Sequence, residues 1–331
     1  MQVVVSIKGL SKTYSAGFWK TKRVVALDDL TLQVEENEVF GYLGPNGAGK
    51  STTLKLLMSL IYPTSGTAKI LGNSVSEVST RQFIGYLPEN PYFYEYLTAE
   101  EFLSFYARLL GFPPGETKDR VAYYLKLTDI FHSRKLQLRK FSKGMIQRIG
   151  IAQALINDPK VIFLDEPMSG LDPLGRREVR DLILKLKNEG KTIFFSTHIL
   201  NDVEILCDRV AVLNRGKLIG SGKLRDLISK EVKYIEILIS GFSYELSRNL
   251  FDPSIPITES GSTLRLEVNA DTKLSDIINP VEQANGTVIS INQVRQTMED
   301  YFFTLVGNGR KKTSSQPLEK AQGTERKAVN S

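Results

Sequence analysis

"GYLGPNGAGKSTTLKLL", residues 41–57, places glycine at 44, 47 and 49 and then Lys50-Ser51-Thr52 between two apolar runs. The run before it, "VFGYLG" (39–44), is short and β-prone. The run after it, "KSTTLKLLMSLI" (50–61), sets Leu54, Leu57, Met58 and Ile61 at helical spacing. The glycine loop therefore joins the end of a strand to the start of a helix. Free N–H groups at a helix start, reinforced by the positive end of its dipole, attract anions. Glycines let the backbone curl so that successive N–H groups point inward, in conformations costly for any residue with a Cβ. Lys50 is then placed to reach terminal phosphates, and the Ser51 hydroxyl to ligate a bridging Mg²⁺. The pattern G-x-x-x-x-G-K-[ST] runs from Gly44 to Ser51, and the segment reads as a site for a nucleotide phosphate chain.

Bulk properties narrow the setting. A chain of 331 residues accommodates one large α/β domain and a smaller one. Hydrophobic content of 41% and charged content of 24% are ordinary for a globular protein. No run approaches the roughly 18–20 apolar residues of a membrane-spanning helix. "MQVVVSIKGLSKTY" lacks the basic start, apolar block and cleavage site of a secretory signal. The single cysteine, Cys207, excludes an internal disulfide framework, suits a reducing cytoplasm and is expected to serve packing. The net charge of +6 is no nucleic-acid signature, because the segment from Arg310 to Ser331 holds six Lys/Arg against two Glu. That basic tail, with almost no apolar content, is expected to be disordered over 307–331. It reads either as solvated chain or as a weak attraction to an anionic membrane surface.

A second buried strand is predicted at "KVIFLDEPMSGLDP" (160–173), where Val161–Leu164 is continuously apolar and ends in Asp165-Glu166. Two carboxylates at the end of a core strand sit where α/β sheets place ligands, and burying them without a cation is costly. Beside a Mg²⁺–nucleotide, Asp165 would hold the metal and Glu166 would polarise the water that attacks the γ-phosphate. "TIFFSTH" (192–198) is another apolar run and ends in His198, which reads either as structural or as a hydrogen-bond partner of a γ-phosphate oxygen. "KFSKGMIQRIGIAQALINDP" (140–159) has helical periodicity, with Ser142 at the N-cap and Gly144 in the first turn. A second anion-attracting helix start beside a single phosphate loop makes sense if it faces the nucleotide of another subunit.

These motifs together resemble the ATP-binding subunit of an ATP-binding-cassette (ABC) transporter. "GPNGAGKST" (44–52) is similar to the Walker A loop, "VIFLDEP" (161–167) to the Walker B strand, and "FSKGM" (141–145) to the signature. "SGLDP" (169–173) resembles the D-loop, "STH" (196–198) the switch-histidine segment and "LPE" (87–89) the Q-loop. The resemblance spans about residues 3–228. It implies a P-loop NTPase α/β core with a helical insert, using ATP and Mg²⁺. By that resemblance Gly44, Pro45, Asn46, Gly47, Ala48, Gly49, Lys50, Ser51 and Thr52 wrap the phosphates, and Tyr14 stacks on adenine, with Phe18 and Trp19 as nearby alternatives. Ser51, Asp165 and Glu89 hold the metal, Glu166 is the general base and His198 senses the γ-phosphate. Ser142, Lys143, Gly144 and Asp172 act in trans across a head-to-tail homodimer or heterodimer. Two departures stand out: the signature, usually L-S-G-G-Q, carries Phe141, Lys143 and Met145, and the Q-loop glutamine is Glu89. A carboxylate still binds metal but donates no hydrogen bond to the attacking water. Lys143 either adds charge near the γ-phosphate or points to solvent.

The expected organisation is an ATPase domain over 1–229 with a helical insert at about 91–159, a small α+β C-terminal domain over 230–306, and the tail. Thr98 and Glu101 form a predicted capping box, with Gly111 as the helix stop. The aromatic run "NPYFYEYL" (90–97) reads as permease contact or as insert core. From 231 the order strand, strand, helix, strand, helix is expected. The resemblance extends to bacterial drug and polysaccharide exporters with a separate permease chain, which implies a cytoplasmic subunit peripheral on the inner face of the membrane. A soluble ABC ATPase acting on ribosomes or DNA fits poorly, since no internal repeat makes a second cassette and the 120 residues between Gly44 and Asp165 carry no heptad run. A nucleotide-gated regulatory subunit with little turnover is a further reading, and nucleic acid is not an expected partner.

Overall fold

The computed structural model describes residues 2–16, 22–228, 232–241 and 243–313. The first of its sheets is antiparallel, in the order β2-β1-β4-β5: β1 (Val3–Ala16), β2 (Lys22–Glu35), β4 (Ser65–Ile70) and β5 (Asn73–Ser74). The central sheet contains β3 (Val39–Leu43), β6 (Ile84–Leu87), β7 (Val161–Asp165), β8 (Thr192–Thr197), β9 (Arg209–Asn214) and β10 (Lys217–Lys223). Its order is β10-β9-β3-β8-β7-β6, parallel from β9 to β6, with β10 antiparallel at one edge.

β3, β7 and β8 are buried at every residue, which is why they read as unbroken apolar runs. Successive side chains alternate between two cores. Leu43, Ile162, Leu164, Ile193 and Phe195 face the helices, while Phe40, Tyr42, Phe163 and Phe194 face the antiparallel sheet. The Phe194 ring lies 5.4, 5.2 and 5.5 Å from those of Phe40, Tyr42 and Phe163. The buried Tyr42 hydroxyl meets Thr53 Oγ1 at 3.0 Å. That bond ties the strand before the glycine loop to the helix after it. Cys207 is buried against Gly41, where a Cβ would stand 2.5 Å from its Sγ.

The helix after the loop, α1 (Lys50–Leu57), is shorter than the apolar spacing to Ile61 predicts. Ser59 turns left-handed (φ 54), and the Leu60 N–H returns to the Lys55 carbonyl, closing the helix before β4. The insert carries α2 (Ala99–Leu109), α3 (Pro114–Leu127) and α4 (Lys143–Leu155), which share the helix-side core through Phe102, Val121, Leu125 and Ile149. The capping box is present: the Glu101 N–H donates to Thr98 Oγ1 at 3.2 Å, and the Thr98 N–H to Glu101 Oε2 at 2.8 Å. α5 (Pro173–Asn188), α6 (Leu200–Leu206) and α7 (Leu224–Leu227) complete this part.

A third, antiparallel sheet follows in the order β12-β13-β11-β14: β11 (Val232–Ser240), β12 (Ile257–Ser260), β13 (Thr263–Val268) and β14 (Thr287–Arg295). It has its own core, in which Ile235, Ile237, Ile239, Leu264 and Leu266 meet Ile277 and Val281 of α9 (Ser275–Gln283). Two elements here lie outside the expected order, the four-residue β12 and α8 (Tyr244–Leu250). α8 buries only Ser247 and so carries no apolar stripe to read.

The last helix, α10 (Met298–Thr313), departs from the expected division. Counted within 230–306, its start would belong to the accessory domain. Instead Met298 is fully buried in the helix-side core of the central sheet, and Tyr301, Phe302 and Leu305 pack on that core. Gly220 of β10 makes the room, since a Cβ there would stand 2.8 Å from Leu305 Cδ1 and Tyr301 Oη. The helix also runs to Thr313, into the stretch expected to be disordered from 307, while 314–331 lie outside the described residues. Among the described residues no helix is long and apolar enough to cross a membrane.

Candidate nucleotide site

The strand order sets β8 between β3 and β7, with β6 beside β7, so the C-terminal ends of these parallel strands stand in a row. The glycine loop, Asp165-Glu166, His198 and Glu89 all follow those ends, where open α/β sheets bind ligands. The loop backbone is pressed against its neighbours. A Cβ on Gly44 would collide with the Leu213 carbonyl, and one on Gly49 (φ +108) with the Ala26 carbonyl. Gly47 (φ +78) arches into open space.

Lys50 is 6% exposed, donates to the Gly44 carbonyl at 2.7 Å, and lies 3.1 Å from Glu166 Oε1. The other oxygen of Glu166, Oε2, is 2.9 Å from His198 Nδ1. Glu166 holds a left-handed backbone (φ 51), a conformation that persists only where its surroundings enforce it. They do so through Ser196: the Glu166 N–H donates to the Ser196 carbonyl at 3.2 Å and to its Oγ at 3.1 Å. The same Ser196 hydroxyl donates to Asp165 Oδ1 at 2.5 Å, so one side chain fixes both carboxylates. Sequence reasoning did not single out Ser196. The available signal was a hydroxyl two positions before His198 on the strand that lies beside β7.

Burial pushes the Asp165 carboxyl above its usual range, against the hydroxyls of Ser196 and Ser51; the Glu166 charge raises it further and Lys50 lowers it. Tyr86 is pushed up to about 12, first by burial and then by the charges of Asp165 and Glu89. A cavity of about 400 Å³ opens over these groups, lined by Ala26, Asn46, Gly47, Gly49, Lys50, Ser51, Thr52, Glu89 and Glu166. A larger cavity of about 560 Å³ lies at the opposite end of β3 and β9. In it Arg209 stands 3.3 Å from Glu35 and 3.2 Å from Glu38.

The donor set fits Mg²⁺. Ser51 and Asp165 offer hard oxygens, the Ser51 hydroxyl favours the ionised Asp165, and that buried charge gains from a cation. Among the described residues no three His, Cys, Asp or Glu side chains close into a ready-made metal cage. Glu89 lines the cavity without completing one, as suits an ion that keeps water and phosphate ligands.

Residues 27–169 match the family model described as ABC transporter. An uncharacterized ABC transporter ATP-binding protein of Synechocystis is 43% identical over 91% of this chain and 84% of its own. The chain belongs to the ABC transporter ATP-binding proteins. The bacitracin transport ATP-binding protein BcrA of Bacillus licheniformis is 35% identical over 93% of the ABC subunit and 99% of its own length. Among solved structures, a dimeric ATP-binding cassette in a post-hydrolysis state with ADP and phosphate aligns with a TM-score of 0.61. It is 27% identical and covers 67% of this chain and 99% of its own. The central fold of the ABC subunit is thus the P-loop NTPase fold, and the chain is a transport-coupled ATPase.

The remaining motif residues of the ABC subunit gather elsewhere, on the surface. Ser142 caps α4 by accepting from the Met145 N–H at 3.3 Å, and Asp172 caps α5 by accepting from the Gly175 N–H at 3.0 Å. Both capping residues are exposed. The two helix starts approach each other where a Cβ on Gly144 would stand 4.0 Å from Gly175 Cα. Lys143 is exposed, and its Nζ lies beside Gly170 of the "SGLDP" segment (φ +66). α5 is further pinned to both neighbours, by Arg148–Glu178 at 2.7 Å from α4 and Arg180–Asp202 at 3.4 Å to α6. Tyr14 lies within β1, opposite Val24, with Lys12 Nζ 5.1 Å from its ring. It does not line the 400 Å³ cavity, although Ala26 on the adjacent strand does. Phe18 and Trp19 lie outside the described residues.

Proposed function

We propose that this ABC ATPase powers export through a separate membrane permease, with two copies, identical or paired with a related subunit, closing over ATP. The observation that carries the site is the placement of Glu166 between Lys50, at 3.1 Å, and His198, at 2.9 Å, beside the phosphate loop. In this reading the loop N–H groups from Gly44 to Thr52 and Lys50 bind the phosphates. Glu166 takes the proton of the attacking water, and His198 bonds the γ-phosphate while holding Glu166 in line. Ser51 and Asp165, with Glu89 alongside, would hold Mg²⁺, which when bound neutralises charge building on the transferred phosphoryl group. Tyr14 on β1 is the adenine-stacking candidate. Ser142, Lys143, Gly144 and Asp172 would face the nucleotide of the other copy.

Export is supported by the bacitracin transport proteins among the relatives, and a permease by the surface of the insert. Tyr92 and Tyr96 are 87% and 66% exposed beside a half-exposed Phe105, an apolar patch that a partner would cover. Phe93, in the same run, is buried and belongs to the insert core. The ATPase would thereby sit on the cytoplasmic face of the membrane through its permease, and the unit over 232–295 would be an accessory domain.

The test is Glu166→Gln. With Mg²⁺ and ATP saturating, light scattering is expected to find a stable dimer, and turnover to fall by about 10²–10⁴-fold. A variant that hydrolyses normally, or stays monomeric, would sink the assignment.

A further inference from the structure

α10 connects the third sheet back to the nucleotide site. Its first residue, Met298, is fully buried, and the Met298 N–H donates to Glu204 of α6. α6 is the helix that directly follows His198. On the other side, Asp300 Oδ1 stands 2.9 Å from Lys233 Nζ of β11. The helix is therefore held by both parts of the molecule. About one turn along it, Phe302 lines a cavity of about 310 Å³ that it shares with Gly44, Pro45, Asn46, His198 and Leu200.

His198 needs support from somewhere. Its side chain is 42% exposed, and the bond to Glu166 is the one described for its ring. Burial does not fix the imidazole, and an ångström of drift at a reacting group costs about 10²-fold in rate. We propose that Phe302 is a positioning residue for hydrolysis, walling the far side of this cavity so that His198 keeps its place. The proposal rests on the roles given above to Glu166 and His198. It makes the C-terminal helix a part of the frame of the nucleotide site, acting through His198 rather than on ATP.

The experiment uses the full chain carrying Phe302→Ala, Phe302→Leu or Phe303→Ala, the first also combined with His198→Ala. Steady-state ATPase kinetics, binding of a non-hydrolysable ATP analogue and thermal melting are measured on each. Phe302→Ala is expected to lower kcat by about tenfold while analogue binding stays unchanged and melting falls by only a few degrees, the ring being packed on the core, and Phe302→Leu to recover most of the loss in kcat. Phe303 is exposed on the same helix and does not line the cavity, so Phe303→Ala is expected to keep the parent kcat. In the His198→Ala background, Phe302→Ala is expected to add nothing. An unchanged kcat in Phe302→Ala, an equal loss in Phe303→Ala, or an undiminished second loss in the double variant would each overturn the proposal. Undiminished turnover in His198→Ala alone would overturn the reading of the site itself, and the proposal with it.

Discussion

α1 and α4 both begin next to a glycine, but their starts sit in opposite surroundings. The start of α1 is enclosed: Gly49 has no side-chain cap, Lys50 is buried, and the carbonyls of Ala26 and Leu213 crowd the loop. The start of α4 is open: Ser142 is exposed, and the nearest feature is the equally exposed start of α5. An exposed helix terminus stabilises a charge by only about 0.3–1 kcal/mol, less than a tenfold change in affinity. The α1 start, with a lysine and a shaped cavity, can bind a triphosphate within one chain. The α4 start acquires comparable strength only when another surface closes over it and excludes water. In the proposed dimer, one chain would thus hold a complete half-site and an incomplete one.

The largest expected effect falls on the enclosed end. Lys50→Ala is expected to abolish ATP binding by calorimetry, and retained micromolar affinity would break the contrast. Ser142→Ala is expected to leave binding to the single chain intact and to lower turnover by about 10²-fold, as loss of a preorganised donor does. Mixing the two variants sharpens the comparison. A dimer of one Lys50→Ala copy and one Ser142→Ala copy contains one intact composite site, so the mixture is expected to exceed both parents in ATPase rate. No gain on mixing would mean that α4 does not act in trans.

A smaller effect is expected at Asp165. Its carboxyl is raised by burial, so on acidification it takes up a proton at a higher pH than an exposed carboxylate. Metal requires the ionised form, so Mg²⁺ dependence is expected to be constant at higher pH and to weaken as pH falls through the raised value. Titrating Mg²⁺ against analogue binding at several pH values checks the sign. The smallest effect is Glu89→Gln, expected to hold hydrolysis within about twofold or raise it if this position only assists the metal; complete loss would give the carboxylate a role of its own.

What the sequence revealed and what it hid follow from range. Gly44–Thr52, Asp165-Glu166 and His198 were legible because each sits at the end of an apolar run, and a parallel sheet brings such ends together. Ser196 was not legible, because its value lies in a bond to the neighbouring strand. The left-handed Ser59 ends α1 early through backbone geometry, and apolar spacing says nothing of it. α8 and β12 are short and nearly stripeless. The docking of α10 escaped for a related reason: its apolar residues mark a buried face without saying which core receives it.

The burial of Met298 bears on how the polypeptide is made. The core built around residues 39–212 receives its last fully buried side chain only after the intervening sheet has left the ribosome. Until then a methionine-sized gap persists beside α6, and filling it is worth about 1.5–3 kcal/mol. A nascent chain paused before residue 298 would therefore carry an ATPase that is shaped but not yet sealed, with its apolar scar available to chaperones.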